Sequence, residues 1–89
     1  MEATIKCIVF RNDTVVITQI EEIDVELGEP NCKLIKPCKI TKEITGECYL
    51  TSWLSDYTTQ DTFMIHSDSI LTITSPNSNL IKKYIDIIS

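Results

Sequence analysis

Residues 4–23 decide the fold: TIKCIVF, then RND, then TVVITQIEEI. In the first segment Ile5, Cys7 and Val9 alternate with Lys6 and Ile8, the two-residue period of a strand. Asn12 and Asp13 tolerate left-handed backbone, so Arg11-Asn12-Asp13 reads as a tight turn. In the second segment Val16 is opposed in parity to Val15, Ile17 and Ile23. Two strands joined by a short turn make an antiparallel hairpin.

The rest of the chain agrees with a β-rich domain. Isoleucine, valine and threonine make up about a third of the 89 residues, alanine occurs once and glycine twice. β-branched side chains are stiff at χ1 and suit a pleated surface, whereas a helical bundle would use alanine and more leucine. Strands are expected at residues 4–10, 14–23, 32–41, 62–66 and 70–74. The middle one is interrupted by Pro37, which cannot donate to a ladder and so demands a bend, a bulge or an edge. Residues 44–57 are ambiguous. Tyr49, Leu50, Trp53, Leu54 and Tyr57 fit a helical face, while Cys48, Leu50 and Leu54 fit half of a strand. The expectation is a short strand passing into a loop, with Trp53 and Tyr49 read as packing residues ahead of base-stacking ones. At the end of the chain Leu80, Ile81, Tyr84, Ile85 and Ile88 recur at helical spacing. An amphipathic helix over 77–88 follows, started by Ser75-Pro76 or capped by Ser78.

Eighty-nine residues allow one domain with a modest core. A chain of this size buries only about 60% of its unfolded surface, so a disulfide, a metal or assembly commonly adds stability. Cys7, Cys32, Cys38 and Cys48 include no Cys-x-x-Cys pair, and the single histidine, His66, lies far from them. That spacing disfavours a zinc site, so no metal and no cofactor are expected. Met1-Glu2-Ala3-Thr4 leads straight into strand-like sequence without a secretory leader, so an intracellular, cytoplasmic chain with reduced, buried thiols is expected. No apolar run reaches membrane-spanning length. Assembly is the remaining device.

The formal charge is −5, which argues against binding nucleic acid over the whole surface but leaves room for a local patch. Glu21, Glu22, Asp24, Glu26 and Glu29 read as a solvated face leading to a Gly28–Asn31 turn; their spacing does not suit a calcium loop. Lys33, Lys36, Lys39 and Lys42 form the basic segment. Their period of three keeps them off a single strand face, so they serve equally as solubilising residues or as a phosphate patch. One histidine, no glycine-rich phosphate loop and no nucleophile elbow leave no catalytic constellation, and no enzyme is expected.

The order of elements resembles the Sm-like (LSm) family, a small, strongly bent five-stranded barrel. One signature region of that family is similar to Ile8-Val9-Phe10-Arg11-Asn12-Asp13, residues 14–20 and then Ile23-Asp24. The other signature region is similar to Phe63-Met64-Ile65, His66-Ser67 and Ile70-Leu71-Thr72-Ile73. Within the family, the small Sm-like proteins of marine cyanophages are the most similar in kind. Position 28 is Gly where the family carries a base-contacting Asn, and the nearest Asn is Asn31. His66-Ser67 replaces an Arg-Gly pair, which removes the stacking guanidinium. The usual N-terminal helix is replaced by a C-terminal one.

The resemblance implies a cyclic homo-oligomer of five to seven copies, closed by pairing Phe63-Met64-Ile65 of one copy with Ile70-Leu71-Thr72-Ile73 of the next. It also implies a rim near Asp24, Asn31, His66 and Ser67, with Lys33 and Lys36 nearby, that meets single-stranded RNA or DNA. For His66 the reading as a solvated turn residue stands ahead of that role. The alternative function is an assembly ring that meets a protein through the acidic residues 21–29. The lysines separate the two: gathered beside His66 they favour nucleic acid, scattered they favour a protein.

Overall fold

Strand β1 (Thr4–Phe10) and strand β2 (Val15–Glu22) form an antiparallel hairpin in register Val9↔Val15 to Thr4↔Ile20 in the computed structural model, which describes residues 4–88. The turn is built by its own side chains. The Asp13 N–H donates to the Phe10 carbonyl (3.0 Å), the Phe10 N–H donates to the Thr14 carbonyl (2.9 Å), and Asp13 takes φ 69°. A type I turn followed by a left-handed residue is a favoured three-residue hairpin connection. Asn12 Oδ1 accepts the Thr14 N–H at 3.1 Å and locks it.

The long strand β3 (Cys32–Lys42) pairs with β2 along one edge and shares its other edge between two partners. Residues Cys38–Lys42 pair with β4 (Cys48–Ser52), and Cys32–Ile35 pair with β5 (Thr62–Ile65). The changeover falls at Lys36-Pro37, where Lys36 adopts φ 51° and the β2–β3 register shifts between Ile17 and Gln19. Pro37 thus sits at a bulge, where its missing N–H costs the ladder nothing. The neighbouring groups are used locally: the Lys36 N–H donates to the Asp61 carbonyl (2.7 Å) and the Trp53 N–H to the Pro37 carbonyl (2.9 Å).

From β5 a one-turn 3-10 helix (Ser67–Ser69) carries the chain across to β6 (Ile70–Thr74), which pairs with β1. The ladder order is β4-β3-β2-β1-β6, with β5 beside β3. The expected mainly β fold with a C-terminal helix is present. The short strand expected within residues 44–57 is Cys48–Ser52, which finds its partner in the second half of β3 and makes six strands among the described residues where the resemblance implied five. The sheet also does not close into a barrel ladder, since β5 and β6 each pair with a different strand and not with each other. Strand ends move by one residue or so from expectation, as at Val15–Glu22 and Thr62–Ile65.

The sheet buries both faces. On one, Ile8, Phe10, Val16 and Leu34 pack with Ile20, Trp53, Ile65 and Ile70. Phe10 stacks on Trp53 (centroids 5.4 Å), whose edge meets Phe63 at 5.7 Å. On the other, Cys7, Ile17, Cys38 and Leu50 pack against helix α1 (Ser78–Ile88) through Tyr84, with Leu80 and Ile88 beside it. The helix is capped by neither Ser75 nor Ser78: Asn77 Oδ1 accepts the Leu80 N–H at 2.9 Å. An Asn side chain there satisfies one of the orphan donors of the first turn.

Tyr84 is fully buried and does more than fill space. Its hydroxyl accepts the Gln19 N–H (3.2 Å) and donates toward the Ile35 and Lys36 carbonyls (3.1 and 2.9 Å). These backbone groups lie beside the β2–β3 irregularity. The hydroxyl gives them a partner there, and burial pushes its pKa above the ordinary phenol value.

Candidate functional site

Two loops meet at one end of the sheet. After β2 the chain runs out through Asp24–Asn31, where the Ile23 N–H donates to the Asn31 carbonyl (3.0 Å) and closes the loop at its base. Gly28 takes φ 91° in the turn and the Glu29 N–H donates to the Glu26 carbonyl at 3.1 Å. Opposite, His66 leads from β5 into the 3-10 turn; its carbonyl accepts from the Ser69 N–H (3.1 Å) and the Ser69 hydroxyl (2.7 Å). The loops are joined by one bond: the Ser67 N–H donates to Asn31 Oδ1 at 3.0 Å, across 36 positions of sequence.

Asp24, Asn31, His66 and Ser67 therefore line one cleft of about 400 Å³. Lys33 and Lys36 do not join them. Lys33 lies on β3 between Glu21 and Met64 in register, and Lys36 sits at the bulge in a separate groove with Asp61 and Trp53. Lys39 faces a third cleft, beside Tyr49. The lysines are scattered. In their place the cleft holds the carboxylates of Glu22, Asp24, Glu26, Glu29 and Asp68. Among the described residues no group of three or more His, Cys, Asp or Glu side chains is arranged to hold a metal ion.

The cleft is an acidic surface with no lysine or arginine in its lining. Phosphates brought to a surface with this density of carboxylates are repelled within a Debye length of about 8–10 Å. The thiol of Cys32, next to Asn31, is raised above its ordinary value by burial and then by the Glu22 charge. Both effects favour the protonated thiol. Cys7 and Cys38 are likewise buried with thiols raised by desolvation, and all four cysteines are unpaired as thiols.

Arg11, the single arginine, was not among the expected site residues. Its Nε donates to the Asp68 carbonyl (2.6 Å) and its N–H to the Ser69 carbonyl (3.1 Å), tying the hairpin turn to the 3-10 turn. Nothing local in the sequence signals a contact that reaches across 57 positions.

The expected assembly residues divide into two sets. Phe63, Ile65 and Ile70 are half-buried within the chain's own core, Phe63 against Trp53 and the other two beside Ile8 and Leu34. Met64, Leu71 and Ile73 are exposed, at 44, 58 and 45%, and Thr72 is exposed with them. Ile73 lies directly opposite fully buried Ile8, so it faces the core side of the sheet and yet stands open. β5 and β6 each have one strand partner among the described residues.

No helix among the described residues is long and apolar enough to cross a membrane. A family model, the Family of unknown function (DUF6561), matches residues 3–89. No curated protein matches the chain.

Proposed function

Starting from a chain that belongs to DUF6561, a family of unknown function, we propose that it is a ring-forming Sm-like module of the cytoplasm, an assembly ring whose acidic rim takes a protein partner. The observation that carries this reading is the unfinished edge at β6. Ile73 extends the Ile8 face of the core into solvent, and Leu71 stands exposed on the same short strand. An exposed apolar edge strand with unpaired backbone groups is an aggregation hazard unless something covers it. β5 of a second copy, with exposed Met64, supplies a strand of matching length. Pairing in the same sense at every contact, with a rotation that closes, forms a ring and removes both edges at once.

The carboxylate-lined cleft then repeats around the rim, and the scattered lysines leave it uncompensated. Such a rim suits a segment rich in Lys or Arg. A second reading is favoured by one specific observation, the Asn31–Ser67 bond that brings Asp24, Asn31, His66 and Ser67 together where the Sm-like resemblance puts single-stranded RNA. Neither reading assigns a catalytic residue.

Placing a lysine at both exposed positions, Leu71→Lys with Ile73→Lys, tests the edge. The ring reading expects the double variant to fold and run as a monomer; an unchanged assembly would exclude β6 as the contact. For the rim, Asn31→Ala with His66→Ala reduces RNA affinity only under the second reading. Capture of Lys-rich peptide by the wild type, lost on Glu26→Gln with Glu29→Gln, supports the first.

A further inference from the structure

We propose that the turn at residues 26–29 of one copy docks into a hollow beside Arg11 of the next copy. The turn is a compact finger. The Glu29 N–H donates to the Glu26 carbonyl, Gly28 takes φ 91°, and Leu27 stands fully exposed at the tip between two carboxylates. An exposed leucine by itself needs no explanation. What marks this one is a socket of matching chemistry elsewhere on the molecule, the condition for a contact between different patches of two copies.

The socket lies between the β1–β2 turn and the chain that follows β4. Phe10, Trp53, Thr14, Asn12, Ser69 and Arg11 line a hollow of about 460 Å³, ample for a leucine side chain. Arg11 is the single charged residue of that lining. The Asp68 carbonyl holds its Nε at 2.6 Å, which fixes the plane of the guanidinium and leaves both terminal amino groups to receive a carboxylate. Among the described residues Arg11 makes no ion pair. Asp13 and Asp68 are near it in sequence, but neither lines the hollow, and Asp68 presents its carbonyl to Arg11 in place of its carboxylate.

Position selects a neighbouring copy as the occupant. Antiparallel pairing of β5 with the next copy's β6 sets the Ile65 end of one strand beside the Ile70 end of the other. On the first copy the Asn31–Ser67 bond holds the finger's loop at that end; on the second, Arg11 is tied there to Asp68 and Ser69. Finger and socket thus fall side by side on one rim. The β3–β4 turn also exposes an aliphatic tip, Ile44, between Glu43 and Glu47, but it lies at the opposite end of β3, roughly 30 Å from the rim. The inference rests on the assembly reading and names what Glu26 and Glu29 meet in it; Glu22, Asp24 and Asp68 stay open on the rim.

Light scattering over a dilution series tests the finger apart from the edge. Leu27→Ser is expected to raise the concentration at which the assembly dissociates by about tenfold, the effect of uncovering one leucine. Arg11→Glu alone and Glu26→Lys with Glu29→Lys are each expected to dissociate it further, and all three together to restore it. Ile44→Ser is expected to match the wild type. An assembly broken by Leu71→Lys with Ile73→Lys but untouched by Leu27→Ser and Arg11→Glu would overturn the finger and leave the edge standing. A second arm needs no assembly: a synthetic peptide of residues 22–30 is added at millimolar concentration to the Leu71→Lys, Ile73→Lys chain. NMR shifts at the Arg11 and Asn12 amides and the Trp53 indole are expected, and their loss on Arg11→Glu. Absence of those shifts would overturn the proposal, whereas their presence with a monomeric wild type would support the socket and remove the edge alone.

Discussion

Replacing Tyr84 by Phe removes one oxygen and little else, and it isolates the hydroxyl that repairs the bulge. In the wild type that oxygen accepts the Gln19 N–H and donates toward the Ile35 and Lys36 carbonyls. Ile35 keeps a partner in the variant, because the Thr18 hydroxyl also donates to its carbonyl at 3.1 Å. Gln19 loses its acceptor at a half-buried position, and a buried unsatisfied donor costs about 1–3 kcal/mol. The phenyl ring still packs against Ile17, Cys38 and Leu50, so no cavity term adds to this. The net expectation is a loss of about 1.5 kcal/mol, set by the orphaned Gln19 N–H together with the Lys36 carbonyl, which keeps only a long contact with the Cys38 thiol (3.9 Å). Urea denaturation followed by Trp53 fluorescence reads it as a lower midpoint with an unchanged slope. In a domain of this size the same loss lowers Tm by roughly 6–12 °C. Amide exchange at Gln19 is expected to quicken beyond the global effect. A variant as stable as the wild type would refute the argument that these backbone groups depend on Tyr84.

Four further outcomes follow from particular contacts. Asn77→Ala removes the helix cap and is expected to cost about 1 kcal/mol, read as a lower urea midpoint, while Asn77→Ser retains most of it. Asn31→Ala cuts the bond between the two rim loops; exchange at the Ser67 amide is expected to quicken at least tenfold with little change in global stability. The buried thiols of Cys7, Cys32 and Cys38 are raised above 9.0 in the folded chain, so the folded state holds their protons more tightly than the unfolded state does. Their contribution is fully present below pH 9 and is lost as pH rises from there through the folded values; a denaturation series from pH 7 to about 10 is expected to be flat and then fall. Arg11→Ala removes the Nε bond to Asp68 and leaves the backbone bond to Ser69, and a rise in backbone mobility at Asp68 by NMR is the expected sign.

What the sequence showed plainly was whatever is written in local order. The Arg11-Asn12-Asp13 turn carries its own hydrogen bonds, and the apolar stripe ending at Ile88 predicts a helix whatever lies beneath it. Pro37 announced an interruption by its chemistry, and the bulge is there. The sixth strand was half-visible, since Leu50 and Leu54 suit a strand or a helix and only the second half of β3 decides between them. Other features depend on residues far apart. The gathering of Asp24 and Asn31 with His66 and Ser67 follows from β3 and β5 lying side by side, which spacing alone does not reveal. The acidity of the cleft combines a visible run, residues 22–29, with Asp68 from the other loop. Lys33, Lys36 and Lys39 separate because a strand alternates faces and the bulge then changes the alternation. Tyr84 was legible as an apolar helix position; its role at the bulge was not, because it depends on which backbone groups come to lie beside the β2–β3 irregularity.

The central claim is that the edges of β5 and β6 are completed by other copies of the chain. Size-exclusion chromatography with light scattering on the wild type at micromolar concentration tests it most directly. With a protomer of 10.1 kDa, a ring of five to seven copies gives one symmetric peak of about 50–70 kDa. A single peak at the protomer mass would contradict the account.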